Sequence, residues 1–210
     1  MAAGRLRDHF ESLERQTEAS RLGMWVFLGS EVLFFAVLFA LYASYRVAHG
    51  HAFAEGVHHN DLVIGTVNTY ILLTSSLIVA LGVYAIRSGR RKTTAALLAA
   101  AAILGVAFLI LKGIEYSHHF REGIFPGPYY EFERLQTYGA RVFFTLYYFM
   151  TGLHALHVFG GIIMLLVLAT LTVRRKFDTQ YHTPIELGGM YWHFVDIVWL
   201  FLWPLFYLLR

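Results

Sequence analysis

The chain has 210 residues, is 57 % hydrophobic and 17 % aromatic, and carries only 15 % charged residues for a net charge of +3. A mean hydropathy of +0.53, with charge well below the roughly 25 % of soluble domains, excludes an ordinary soluble protein and points to a membrane. There is no cysteine, which excludes disulfides and thiolate metal sites and leaves the compartment open.

In chain order, residues 1–23 have mixed charge and are expected to form a cytoplasmic N-terminal segment, with 24–210 as the transmembrane domain. Leu6, Phe10 and Leu13 have the spacing of a short amphipathic helix, although Asp8, Glu11, Glu14 and Glu18 argue against a strong lipid anchor. Apolar blocks follow at 24–45, 62–86, 94–114, 143–173 and 187–209. Each reaches the roughly 20 residues that span a hydrocarbon core. Inside a bilayer the backbone must satisfy its own hydrogen bonds, so each block is predicted to be a helix. The period-two alternation of a β-barrel is absent. The first block is too long for the apolar core of a signal peptide and is expected to stay in the mature protein. The predicted fold is therefore all-α: a polytopic membrane protein built as a five-transmembrane-helix up-down bundle.

Charge placement predicts orientation. Arg5, Arg7, Arg15 and Arg21 precede the first block, Arg87, Arg90, Arg91 and Lys92 separate the second from the third, and Arg174, Arg175 and Lys176 follow the fourth. The other side holds only Arg46, Lys112, Arg121, Arg134, Arg141 and Arg210. The positive-inside rule puts the N-terminus in the cytoplasm and the C-terminus outside. These arginines mark loops, so nucleic-acid binding is not expected. The longest outside loop, from Glu115 to Arg141, contains Gly123, Pro126, Gly127 and Pro128 and reads as an irregular excursion without strands.

Polar groups inside the blocks are the candidate functional residues, because ionisable side chains at membrane depth are costly. Glu31 has Phe27, Leu28, Phe34 and Phe35 as its near neighbours in the helix. It is desolvated there unless another helix supplies donors. Two readings stand: an acid that ties helices together, or a proton-handling group. In the third block, Lys112 and Glu115 are expected to pair near the outer interface, where Lys112 can also snorkel. The alanine run 95–102 there, and Gly160 and Gly161 in the fourth block, permit close helix approach. His154 and His157 share a helix face. Two histidines so spaced cannot ligate both sides of a haem iron, and interhelical hydrogen bonds are expected of them. Thr183, Pro184 and Glu186 read as N-cap, first helical residue and capping-box partner of the last helix. Asp196 has His193 as its only evident local partner, which suggests a subunit contact or an interhelical polar one for both. No nucleophile elbow, phosphate loop, zinc helix or dinucleotide fingerprint is present, so no complete active site is expected and no metal ligand set is assigned.

Several strings carry a family resemblance. Arg21-Leu22-Gly23-Met24 with Ser30-Glu31-Val32-Leu33-Phe34-Phe35, then Asn68-Thr69, Glu115-Tyr116, Thr151-Gly152-Leu153-His154-Ala155-Leu156-His157-Val158, and Tyr191-Trp192-His193-Phe194-Val195-Asp196 through Phe201, run in order over nearly the whole chain. Together they resemble cytochrome c oxidase subunit III, in the five-helix bacterial form that lacks two N-terminal helices of the mitochondrial form. The resemblance implies a subunit without a redox centre of its own. Haems and copper would lie in subunits I and II, and cytochrome c would be served through the complex. The partners implied are subunits I and II, a small subunit IV in some complexes, and membrane lipids of the bacterial cytoplasmic (inner) membrane. It also implies support for assembly, proton uptake and stable turnover, and a proposed part in guiding oxygen. Glu31 corresponds to the family's carbodiimide-reactive carboxylate. A quinol oxidase subunit and a subunit associated with nitric oxide reduction share much of this pattern. A free-standing proton-coupled transporter predicts paired broken helices or an inverted repeat, which the sequence does not show. A bis-histidine cytochrome predicts a haem band in the isolated chain.

Overall fold

The computed structural model describes residues 10–132 and 135–209 (for Pro128, the backbone only). The proposed helix around Leu6, and Arg5, Arg7, Arg134 and Arg210, lie outside these residues. The described residues form six helices and no strand: α1 Leu13–Ala48, α2 Gly50–His59, α3 Leu62–Arg87, α4 Arg91–Arg121, α5 Tyr138–Val173 and α6 Thr183–Trp203. A 3-10 turn, Gly127–Tyr129, lies between α4 and α5, and a π-turn, Pro204–Leu208, continues α6. The five long apolar helices coincide with the five expected blocks, and this is a multi-pass membrane fold.

Local chemistry sets the helix ends. Ser12 caps α1 by accepting from Arg15 N at 3.2 Å, and Asp61 caps α3 by accepting from Val63 N and Ile64 N. Thr137 caps α5 through Ala140 N. These side-chain acceptors satisfy donors that the first helical turn leaves open. The turns after α3 and after α4 are made by Gly89 and Gly123 at φ of 75° and 80°, a conformation that suits a residue without Cβ.

The helices run longer than the apolar blocks alone suggest. α1 begins eleven residues before Met24 and places Glu31 close to its midpoint, roughly 27 Å from its start at 1.5 Å per residue. α4 extends through Arg121 and α5 begins at Tyr138, so the longest connection is confined to 122–137. One helix was not expected. α2 is too short to span a membrane, yet Phe53, Gly56 and Val57 form a buried i, i+3, i+4 stripe that packs on α5, with Phe53 against Phe143 at 5.4 Å.

α3, α4, α5 and α6 make a four-helix bundle in which α4 lies between α3 and α5, and α6 crosses back over both. α1 is peripheral. Only 17 % of its most apolar stretch is buried, against 39–50 % for the other spans. Trp192 of α6 locks the bundle. A Cβ on Gly161 of α5 would stand 2.7 Å from its ring, and one on Gly105 of α4 would stand 2.8 Å from it. Its indole N–H donates to Ser75 Oγ of α3 at 3.0 Å. One side chain thus touches three other helices where two glycines let backbones close in. Gly161→Leu is expected to expel this ring and destabilise the protein by about 1–3 kcal/mol, the usual cost of overpacking. The thermal unfolding midpoint of the purified protein measures it, and an unchanged midpoint contradicts the locking role.

Candidate functional site

Lys112 of α4 has a side chain that is 3 % exposed. It does not snorkel, because all three ammonium protons find acceptors inside the bundle. Nζ donates to Glu115 Oε2 at 3.1 Å, Tyr147 Oη at 2.8 Å and Tyr207 Oη at 2.7 Å. Tyr207 in turn donates to Glu115 Oε1 at 2.7 Å. The rings of Tyr116, Tyr147, Trp199 and Tyr207 surround the ammonium at 4.4–5.3 Å, a cation–π cage that adds to the ion pair. The pair expected at the interface is therefore interior. It joins α4 to α5 and to the C-terminal turn. That turn is also held by Tyr42 Oη donating to Leu205 O, Asn60 Nδ2 to Phe206 O, and Arg46 to Leu209 O.

Glu31 is not alone in its helix environment. His157 Nε2 of α5 lies 3.1 Å from Glu31 Oε2, and Phe35 packs edge-on to the imidazole. The same imidazole places Nδ1 2.8 Å from Leu153 O. A carbonyl only accepts, so Nδ1 carries a hydrogen. The contact at Nε2 therefore needs one further proton, held either by the imidazole or by the carboxyl. The pair stores one proton between two helices in an apolar setting. Both side chains are about one-fifth exposed, so the site lies at the seam of α1 and α5 and is open on one side.

The other sequence-chosen groups divide. His154 is fully buried but makes no hydrogen bond among the described residues. It stacks on Trp199 at 5.2 Å and meets Phe108 edge-on, so the expected interhelical hydrogen bond is corrected: aromatic faces fill the space where a donor was expected. His193 pairs with Ser76 of α3, Nδ1 to Oγ 2.5 Å, and not with Asp196. Asp196 lies beside Ser76 but has no hydrogen bond of acceptable geometry. At 4 % exposure it faces the interior of its own bundle, the interhelical of its two expected settings. The capping box is also corrected. His182 occupies the N-cap position of α6 without a side-chain cap. The Thr183 hydroxyl faces Thr17 of α1, and Glu186 is drawn to Arg21 of α1 and Arg87 of α3 at 2.8 and 2.6 Å, with His182 at 3.1 Å. Two arginines outcompete a backbone N–H for that carboxylate, and the result clamps three helices at the basic end.

Among the described residues no cluster of His, Asp or Glu is arranged to hold a metal ion. The aromatic acceptors of Lys112 and the arginines of Glu186 were missed by sequence reasoning. Their partners lie 35–165 residues away in the chain, and no local spacing signals them. A lysine deep within an apolar helix was the available signal.

The family model for cytochrome c oxidase subunit III matches residues 10–209. Similar proteins include the cytochrome c oxidase subunit 3 of Thermostichus vulcanus, 36 % identical over 90 % of this chain and 86 % of its own length. That of Corynebacterium diphtheriae is 31 % identical over 90 % and 87 %. Quinol oxidase subunit 3 of Bacillus spizizenii is 28 % identical over 94 % and 92 %. The matched stretch holds the Glu31–His157 seam, the Lys112 cage and the Trp192 lock alike, and the chain belongs to the cytochrome c oxidase subunit III family, a component of haem–copper oxidase complexes.

Proposed function

We propose that this chain is the redox-inactive third subunit of a bacterial terminal oxidase that takes electrons from cytochrome c, reduces oxygen and pumps protons. In this reading haems and copper reside in subunits I and II. The chain lies in the cytoplasmic membrane with residues 1–23 inside, 24–210 forming the membrane domain, and the C-terminus outside. It packs on subunit I, beside subunit II and a small fourth subunit where one exists, with lipids filling the remaining surface. Its work is to sustain assembly, proton uptake and long-term turnover.

The observation that carries this reading is the Glu31–His157 pair, a proton-holding group on the least buried helix. α1 presents Trp25, Val26, Leu33 and Val37 outward, each at least 64 % exposed. An apolar wall with one proton-bearing seam suits a companion polypeptide that takes protons up nearby. A free transporter is disfavoured because α1, α3, α4 and α5 are unbroken and α6 ends in a π-turn only at Pro204. The cytochrome c relatives given above are more similar to this chain than the quinol relative, 36 % and 31 % against 28 %, which favours cytochrome c as donor.

Purification in mild detergent tests the proposal. The chain is expected to elute with haem-bearing polypeptides and with oxygen consumption driven by reduced cytochrome c. Consumption driven only by a quinol selects the homologous quinol oxidase. Recovery of the chain alone, active in transport and free of haem, overturns the subunit reading.

A further inference from the structure

At the end of the bundle opposite the basic loops, a cavity of about 120 Å³ opens between α2, α3 and α4. Its rim includes His59 and Glu122, whose Nε2 and Oε2 lie 2.6 Å apart and whose side chains are 23 % and 50 % exposed. Asp61 and His118 also line it, but the Asp61 carboxylate is committed to the cap of α3. Its walls are completed by Ile64, His119 and Glu115. His119 is 4 % exposed and its Nδ1 is buried without a hydrogen-bond partner. Its ring is 5.8 Å from that of His59. Glu115, 2 % exposed, reaches the cavity while accepting from Lys112 and Tyr207.

A buried imidazole nitrogen with no partner calls for water or a moving proton, and a polar cavity of this volume holds several waters. We propose that the cavity is a proton-exchange vestibule through which the buried Lys112–Glu115 pair equilibrates with the aqueous phase at this end of the bundle. A proton passes from water at the His59–Glu122 rim to a ring nitrogen of His119, and from the other ring nitrogen, through cavity water, to a Glu115 oxygen. Deprotonation reverses the path, so neither an oxidant nor a co-reactant is needed. Imidazole suits this relay because one nitrogen receives a proton while the other releases one.

The consequence is specific. Facing Glu115 are Lys112, Tyr116 and His119 on its own helix, Tyr147 and Tyr148 on α5, and Tyr207 on the C-terminal turn; facing His119 are Glu115, Lys112, His59, Glu122, Tyr147 and Tyr148. When Glu115 takes a proton it gives up the charge that holds both Lys112 and Tyr207. The turn of Pro204–Leu208 is then held more weakly through Tyr207, while its bonds to Tyr42 and Asn60 and that of Leu209 to Arg46 stay. External acidity is thus read by the C-terminus of the subunit.

The test uses the whole oxidase in sealed vesicles, with the Glu115 carboxyl followed by time-resolved infrared absorption and assigned by its shift in Glu115→Asp. An acid step applied outside is expected to raise the Glu115 signal together with an external pH indicator. Ile64→Phe plugs the cavity and leaves every titrating group in place. It is expected to slow that rise about 10²-fold, the usual contribution of a positioned proton-transfer path, with the final amplitude unchanged. Should the plug disturb assembly, His119→Gln, similar in size and unable to relay, is expected to give the same slowing. Unchanged rates in both variants, or a wild-type signal indifferent to acid on either side, overturn the vestibule. A response to acid on the inner side alone supports the vestibule and overturns the orientation given under Proposed function.

Discussion

Lys112→Met is expected to destabilise the subunit by about 3–5 kcal/mol, the cost of removing one partner from a buried ion pair. The geometry shows why the loss is large. Nζ is the hub of three hydrogen bonds, and methionine leaves Tyr147 and Tyr207 without their shared donor. Glu115 remains 2 % exposed with its counter-charge gone. Four aromatic rings that faced a cation then face a thioether. Glu115→Leu alone is expected to be similarly damaging, since it strands the ammonium. The double variant Lys112→Met/Glu115→Leu is expected to recover most of the loss, because a buried pair exchanged for apolar side chains of similar size is often neutral or stabilising by about 1–4 kcal/mol. The double-mutant cycle is read from the thermal midpoint at which the subunit leaves the detergent-solubilised complex. Additive losses contradict the account, since they would mean that the two charges stabilise the bundle independently.

That cage also marks where sequence reading stops. The five spans were legible because length and hydropathy decide whether a helix crosses a bilayer, and both are local properties. Glu31 and His157 were both legible as polar groups at membrane depth. Their pairing was not, since it depends on α1 crossing α5 at one level, 126 residues apart in sequence. Lys112 shows the same limit in a sharper form. Spacing correctly joined it to Glu115, but spacing also allows a long amphipathic side chain to reach outward. Tyr147 and Tyr207 decide the direction, and they arrive from α5 and from beyond α6. The capping box failed for a related reason: Thr183 and Glu186 have the right separation, yet Arg21 and Arg87 are brought to the carboxylate by tertiary packing. α2 was the one element with a readable local signal that length alone concealed. Its Phe53–Val57 stripe is amphipathic, and ten residues suffice for a helix that lies on the bundle instead of spanning it.

Glu31→Gln is expected to abolish carbodiimide labelling of the subunit while leaving assembly intact, and to shorten the period over which the oxidase sustains turnover. The reasoning starts at His157. Because Nδ1 must donate to Leu153 O, Nε2 of the neutral ring has only a lone pair to offer. Glutamine satisfies it, since an amide N–H donates to that lone pair. The bridge between α1 and α5 therefore survives and the shape is kept. What disappears is the proton that can leave. Carbodiimides attack a protonated carboxyl, so modification at this position falls to background. His157→Leu makes the complementary change. It keeps the carboxyl but removes the group that shares its proton and ties α1 to the bundle. Labelling is expected to persist in that variant, and α1, the least buried span, is expected to exchange its amide hydrogens faster than in the parent. Mass-spectrometric mapping of the modified peptide and hydrogen exchange across Leu13–Ala48 read both outcomes. Persistent modification of the Glu31 peptide in Glu31→Gln removes the proton from this seam and with it the basis for a role in proton supply. If labelling is lost but turnover lasts as long as in the parent, the proton is present and idle, and the seam serves only to hold α1 in place.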